Sequence, residues 1–164
     1  MKKTFFFLIF GLLLYSMAGC NSPGVVDSDS SDTNDSVVAD SLEFDTVTGI
    51  SVRSAQNLYV ADSVKPIIVT GYIVGTVQGT YSKGCNLTPP FTVETNLLLA
   101  DTTNPSSIYD CMPVELQKDT RIRKKLNLVD NPHMCGRKVV IRGYLRKYFR
   151  VAGIKSTNRF RICE

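Results

Sequence analysis

The sequence has no tryptophan, one histidine (His133) and no Cys-x-x-Cys pair. A single histidine rules out a multi-histidine metal site, and unpaired cysteine spacing weakens zinc and thioredoxin-like readings. No Gly-x-Ser-x-Gly elbow and no Gly-x-x-x-x-Gly-Lys-Ser/Thr phosphate loop occurs. Asp101, Asp110 and Asp130 fall singly at loop positions instead of grouping as calcium ligands. His133 follows Asn131-Pro132 without a neighbour suited to acid–base work. The expectation is a non-catalytic protein with no catalytic residues, no metal and no cofactor. With 11 Gly and 7 Pro in 164 residues, collagen-like and Pro-rich fibrous classes are also excluded.

No apolar run is long enough to span a bilayer, which takes about 20 residues. The apolar stretch from Thr4 to Tyr15 instead has the length of a signal-peptide core, and Lys2 and Lys3 precede it. It ends in Ser16-Met17-Ala18-Gly19-Cys20, which resembles a bacterial lipobox with Met17 where Leu is commoner. The resemblance implies a lipoprotein signal peptide over residues 1–19, cleavage after Gly19, and diacylglycerol and acyl chains, palmitate among them, on Cys20. Each buried methylene contributes about 0.8 kcal/mol, so such a cysteine anchors firmly. The expected location is the bacterial cell envelope, lipid-anchored, at the outer membrane.

Residues 20–45 lack basic residues. Asp27, Asp29, Asp32, Asp35, Asp40, Glu43 and Asp45 stand among Ser, Thr and Asn. One sign of charge and few apolar groups cannot offset the entropy of ordering, so this stretch reads as a disordered acidic tether. Within and just after it Asp35-Ser36-Val37, Asp40-Ser41-Leu42 and Asp45-Thr46-Val47 recur every five residues. They resemble the O-glycosylation acceptor of exported Bacteroidota proteins, which makes Ser36, Ser41 and Thr46 candidate acceptors.

Four cysteines remain: Cys85, Cys111, Cys135 and Cys163. An even number in an exported chain suggests disulfides, and four cysteines allow three pairings. Cys85 with Cys111 and Cys135 with Cys163 is the pairing favoured here; free buried thiols are the alternative.

Residues 46–164 carry the folded pattern. Ser51 is placed to cap a short helix from Val52 to Val60, with Val52, Ala55, Leu58 and Tyr59 on one face. Ile67 to Val77 is β-branched and holds Gly71 and Gly75, so it predicts a long strand bent or bulged at the glycines. Residues 79–90 read as a loop. Strands follow at Thr95 to Ala100 and Cys111 to Leu116, where Pro113 suggests an edge or bulge. Lys118 to Leu128 reads as a helix with Asp119 as N-cap and Ile122, Leu126 and Val129 facing the core. Lys138 to Tyr148 alternates cleanly, Val151 to Ile154 begins a further piece, and Asn158 to Ile162 makes the last strand. Short strands with a helix between the third and fourth predict a mainly β protein. Its class is a five-stranded OB-fold-like barrel with a short N-terminal helix.

Several segments in order carry a family resemblance. They are Gly71-Tyr72-Ile73-Val74-Gly75, Thr95-Asn96-Leu97-Leu98-Leu99-Ala100-Asp101, Cys111-Met112-Pro113-Val114-Glu115-Leu116, Leu126-Asn127-Leu128-Val129-Asp130-Asn131-Pro132 and Lys147-Tyr148-Phe149-Arg150-Val151-Ala152-Gly153-Ile154-Lys155. Together they resemble an uncharacterised OB-fold-like domain family of Bacteroidota lipoproteins and exported proteins. The resemblance covers about residues 48–162, implies an OB-like fold, and implies no activity and no functional residues. Relatives often place Gly after the Tyr-Phe pair, where this chain has Arg150.

The formal net charge of +4 hides a strong segregation. Residues 46–117 carry three bases and five acids, whereas residues 118–164 carry fourteen bases and three acids. On the strand from Lys138, Val139, Ile141 and Leu145 share one face, and Lys138, Val140, Arg142, Tyr144, Arg146 and Tyr148 the other. Bases interleaved with aromatics suit phosphate neutralisation together with base stacking, so Arg142, Tyr144, Arg146 and Tyr148 are the candidate ligand-binding residues. Arg121, Arg123, Lys124, Lys125, Arg150, Lys155, Arg159 and Arg161 are candidates to extend the patch. Three readings fit. One is a module for polyanions: acidic glycan, lipopolysaccharide phosphate or nucleic acid. Another is an interaction or assembly module for a second envelope protein. The third is a solvated face whose Lys and Arg stems cover apolar surface.

Overall fold

The structure, a computed structural model, describes residues 44–59 and 63–164. The signal peptide, Cys20, Ser36 and Ser41 lie outside the described residues. Among the described residues no helix is long and apolar enough to cross a membrane.

The chain runs β1 (Ile50–Ser51), α1 (Val52–Asn57), β2 (Pro66–Val77), α2 (Tyr81–Gly84), β3 (Cys85–Asn86), β4 (Asn96–Ala100) and β5 (Cys111–Glu115). It continues with α3 (Arg121–Leu126), β6 (Lys138–Tyr148) and β7 (Val151–Ile162). Strand β2 pairs antiparallel with β4 and β4 with β5; β5 runs parallel to β7, β7 antiparallel to β6, and β6 closes back on β2. That circuit is a closed five-stranded barrel with α3 between its third and fourth strands, the arrangement expected from the sequence.

Closure has a local cause in β2. Its partners change from β6 along Pro66–Tyr72 to β4 along Tyr72–Gly75, with a register shift between Ile73 and Gly75. A Cβ on Gly75 would collide with the carbonyl oxygen of Asn86, so only glycine lets the strand bulge here with β3 alongside. The end of β2 is held by a side chain. Asn96, 1% exposed, accepts from the Val77 N–H at 2.7 Å and donates to the Val77 carbonyl at 2.9 Å, standing in for a ladder pair. A buried amide with both ends satisfied costs little, whereas an unpaired one is expensive.

Alternation sorts the side chains into two clusters. Leu97, Leu99, Met112, Val114, Val139, Ile141, Leu145 and Ile154 point into the barrel and join Ile122, Leu126 and Leu128 from the α3 region. Leu98, Ala100 and Cys111 point outward and form a second cluster with Val74, Val77 and Tyr81. The outer face of β4 and β5 is therefore apolar and is covered by α2, with Leu87, Phe149 and Val151 packed against it.

Several expectations are corrected. Helix α1 stops at Asn57, and Leu58 is 59% exposed instead of facing the core. Helix α3 is shorter than residues 118–128. Asp119 takes a left-handed φ of 60°, so Thr120 is the cap, its hydroxyl accepting from the Arg123 N–H at 3.2 Å. Val129 lies past the helix and is exposed. The region read as a loop at 79–90 contains α2 and β3, because Tyr81 has an apolar face to cover. The two pieces expected at 151–154 and 158–162 are one strand, interrupted by an irregularity where Ser156 has a φ of 52°. Pro113 is buried within the barrel wall rather than on an edge; the parallel β5–β7 seam is registered at the neighbouring pair Val114 and Ile154. All four described cysteines are free thiols.

Candidate functional site

The four residues singled out on the alternating strand do share the outer face of β6, and each is half-buried. Register places Arg142 opposite Arg159 of β7, Tyr144 opposite Lys155 and Tyr148 opposite Val151. Two arginines directly opposite each other repel, which costs a few tenths of a kcal/mol to about 1 kcal/mol. The aromatic rings of this face already carry cations: Arg146 lies over Tyr144 at 5.8 Å and Lys155 over Tyr148 at 5.4 Å. Lys155 is also 3.6 Å from the Glu115 carboxylate. Burial, with Glu115 nearby, pushes the Tyr148 hydroxyl up to about 12. The face is thus a positive strip whose tyrosines are in use within the protein.

Not all the bases proposed to extend the strip do so. Arg123 pairs with Glu94 at 2.8 Å, and Arg161 donates to the Val47 carbonyl at 3.0 Å. Arg121, Arg159 and Arg161 meet at a separate depression of about 580 Å³ that also takes in Asp45. Thr46 is exposed on the segment leading into β1. His133 is exposed in the short turn Pro132–Met134, and no group of three or more metal-ligating side chains exists among the described residues. Asp101 and Asp110 have structural tasks. Asp101 accepts from the N–H groups of Val52 and Arg53 at 2.6 and 3.0 Å, and Asp110 pairs with Arg53 at 2.6 Å.

At its upper end the strip runs into a cleft of about 670 Å³. One wall is the β2–β3 connection, with Tyr81 and Lys83; the other is the β6–β7 hairpin tip, with Phe149, Arg150 and Val151. Tyr109 closes it from the turn before β5. Cavities of this size suit small ligands or a segment of a larger one. Tyr81 is a fixed wall: its ring is buried, and its hydroxyl donates to the carbonyls of Cys111 and Ile108 at 2.6 and 2.7 Å. Burial and its thiol neighbours push the Tyr81 hydroxyl far up, so it stays protonated at any ordinary pH. Tyr109, 63% exposed, lies 6.3 Å from Tyr81, and Phe149 packs on Tyr148 at 4.4 Å, linking cleft and strip. Lys83 and Arg150 have no acidic partner among the described residues, and the cleft lining holds no carboxylate.

The hairpin tip is strained. Phe149 and Arg150 both have positive φ, 50° and 68°, between the paired residues Tyr148 and Val151. Two-residue hairpins of this kind favour Asn-Gly or Asp-Gly, and a bulky residue there costs roughly 1–2 kcal/mol. Such strain is retained mostly where a side chain is needed, and here it aims a ring and a guanidinium at the cleft. The sequence marks Arg150 only as a candidate to extend the strip. It gives no sign of Lys83, Tyr109 and Phe149, because three separated connections supply them without any periodic pattern. The absence of Gly between Tyr148 and Val151 was the available signal.

The barrel and its loop-walled cleft define an OB-fold-like protein, with the cleft between the connection of the first two barrel strands and that of the last two. The chain belongs to the family described as Domain of unknown function (DUF6359), which matches residues 50–163. A segment of 97 residues is 31% identical to the protein named Endonuclease YhcR of Bacillus subtilis (strain 168), covering 59% of this chain. The chain spans 8% of that relative's length. Among solved structures, the hypothetical protein ygiW from E. coli aligns with a TM-score of 0.42 at 15% identity, over 71% of this chain and 91% of that one.

Proposed function

We propose that the domain is a non-catalytic binding module for polyanions, tethered to the cell envelope. The observation that carries the reading is the unneutralised cationic cleft between the two loops that flank the ligand face of OB barrels, continuous with the basic outer face of β6. Acidic glycan, lipopolysaccharide phosphate and nucleic acid all fall within that class. Nucleic acid draws added support from the endonuclease name of the Bacillus subtilis relative. The lipobox-like segment ending at Cys20 and the acidic stretch after it support a lipid anchor and a leash, as in the Bacteroidota exported proteins that the sequence resembles.

The test is binding of the purified protein to single-stranded DNA, heparin and lipopolysaccharide across a salt series. Steep loss of affinity with salt is expected, because neutralised phosphates or sulfates release counterions. Reversal of Arg142 and Arg146 to Glu is expected to weaken binding more than reversal of Arg53 and Lys65. Equal effects would reduce the interaction to bulk attraction, and no binding at low salt would remove the reading. Lipid labelling of the cells, lost in Cys20→Ser, tests the anchor.

A further inference from the structure

We propose that the cleft takes single-stranded nucleic acid, stacking an unpaired base against Tyr109 and Phe149 while Lys83 and Arg150 neutralise the adjoining phosphates. The inference rests on the polyanion reading above and narrows it to one chemical class.

The lining decides between the polyanions. Acidic sugars present many hydroxyl groups, and the side chains best suited to receive those donors are carboxylates and amides. The cleft has neither: its side chains are aromatic or aliphatic, apart from Thr80, Ser82, Lys83 and Arg150. A glycan entering here would find only hydroxyl side chains as acceptors, beside a lining that is otherwise apolar or cationic. A nucleobase has flat apolar faces that need no partner, and stacking tolerates any base.

The rings are suited to that task in a way the β6 tyrosines are not. Tyr144 and Tyr148 are each covered by a cation. Tyr109 is largely exposed beside the buried Tyr81. Phe149 is held toward the cleft by the left-handed hairpin tip and by Tyr148 beneath it. The cleft adjoins the Tyr148 end of the strip, and the basic face of β6 runs back from there toward Arg142, so a strand with one base in the cleft has a positive face along which its backbone can continue. Duplex does not offer an unpaired base, so it is disfavoured as the ligand.

The experiment compares a fluorescein-labelled thymidine oligonucleotide with an abasic deoxyribose-phosphate strand of the same length, using the purified full chain and fluorescence anisotropy. The thymidine strand is expected to bind about tenfold more tightly than the abasic strand. Tyr109→Ala and Phe149→Asn are expected to remove most of that difference by weakening the thymidine strand more than the abasic one; Asn tolerates the left-handed backbone, so the second variant keeps the turn. Lys83→Gln and Arg150→Gln are each expected to lower the salt slope for both strands by about 0.7. Equal binding of the two strands would overturn the stacking inference and leave the polyanion reading in place. Heparin or lipopolysaccharide bound without the thymidine strand would do the same. Loss of affinity on reversal of Arg142 and Arg146, with the cleft variants at wild-type affinity, would put the ligand on the strand face and overturn the cleft. Failure of every polyanion at low salt would overturn both readings together.

Discussion

The hydroxyl of Tyr81 donates to the carbonyl oxygen of Cys111 at 2.6 Å, joining the connection after β2 to the first residue of β5. The same hydroxyl reaches Ile108, so one side chain ties one wall of the cleft to the turn that carries Tyr109. Tyr81→Phe keeps the ring and deletes the donor, while the Cys111 carbonyl still accepts from Gln56 and the Ile108 carbonyl from the Cys111 N–H. A loss of about 0.5–1.5 kcal/mol in unfolding free energy is expected from denaturant titration. A change below a few tenths of a kcal/mol would show that the wall is held by ring packing alone.

Arg150→Gly separates stability from binding. Glycine relieves the left-handed strain at that position, while its looser unfolded chain offsets part of the gain, for a net stabilisation of about 0.5–1 kcal/mol. The same change removes one cleft cation, so polyanion affinity and its salt slope are expected to fall. Denaturation and anisotropy on one preparation check both signs. A destabilised variant would mean that Arg150 makes contacts worth more than the strain.

Alkaline pH is expected to destabilise the domain once it passes the ordinary values of the buried thiol and phenol groups. Burial raises the Cys111 thiol from 9.0 to about 12, and burial with Glu115 raises the Tyr148 hydroxyl from 10.0 to about 12. A group held protonated by the fold binds more protons in the native state. Its stabilisation is complete below the unfolded value and is lost as pH climbs toward the folded one. Stability should therefore decline from about pH 9 to about pH 12. Tyr148→Phe should make the decline shallower above pH 10, as followed by circular dichroism. An identical profile would show that Tyr148 does not contribute to it.

Asp101 caps a helix that begins 49 residues before it, accepting from Val52 and Arg53. Asp101→Ala leaves two orphan donors at the start of α1 and is expected to cost about 1 kcal/mol. Asp101→Asn, which keeps an acceptor oxygen, should recover part of it. Chemical denaturation of the two variants gives the comparison, and equal losses would point to charge instead of hydrogen bonding.

How much was legible follows from the range of each signal. The β6 pattern, with Val139, Ile141 and Leu145 inward and Arg142, Tyr144, Arg146 and Tyr148 outward, was readable because alternation is a property of neighbours along one strand. The order of strands around α3 was readable for the same reason, and it led to the right barrel. Element ends were less so. Asp119 looked like a cap by residue type, but its backbone is left-handed and Thr120 takes the role. The single run of β7 was hidden by Ser156, whose irregular backbone makes one strand look like two.

The sequence alone determined the alternation, the barrel order and the concentration of bases in the last third of the chain, because all three are local or additive properties. Only the tertiary structure decided which of those bases stay available. Glu94 and Glu115 lie far from Arg123 and Lys155 in sequence and neutralise them only after folding. It also created the cleft, since Lys83, Tyr109 and Phe149 come from loops that are brought together when β6 closes onto β2 and β7 onto β5. A site assembled by barrel closure leaves no period in the sequence, because its members become neighbours across strands rather than along one.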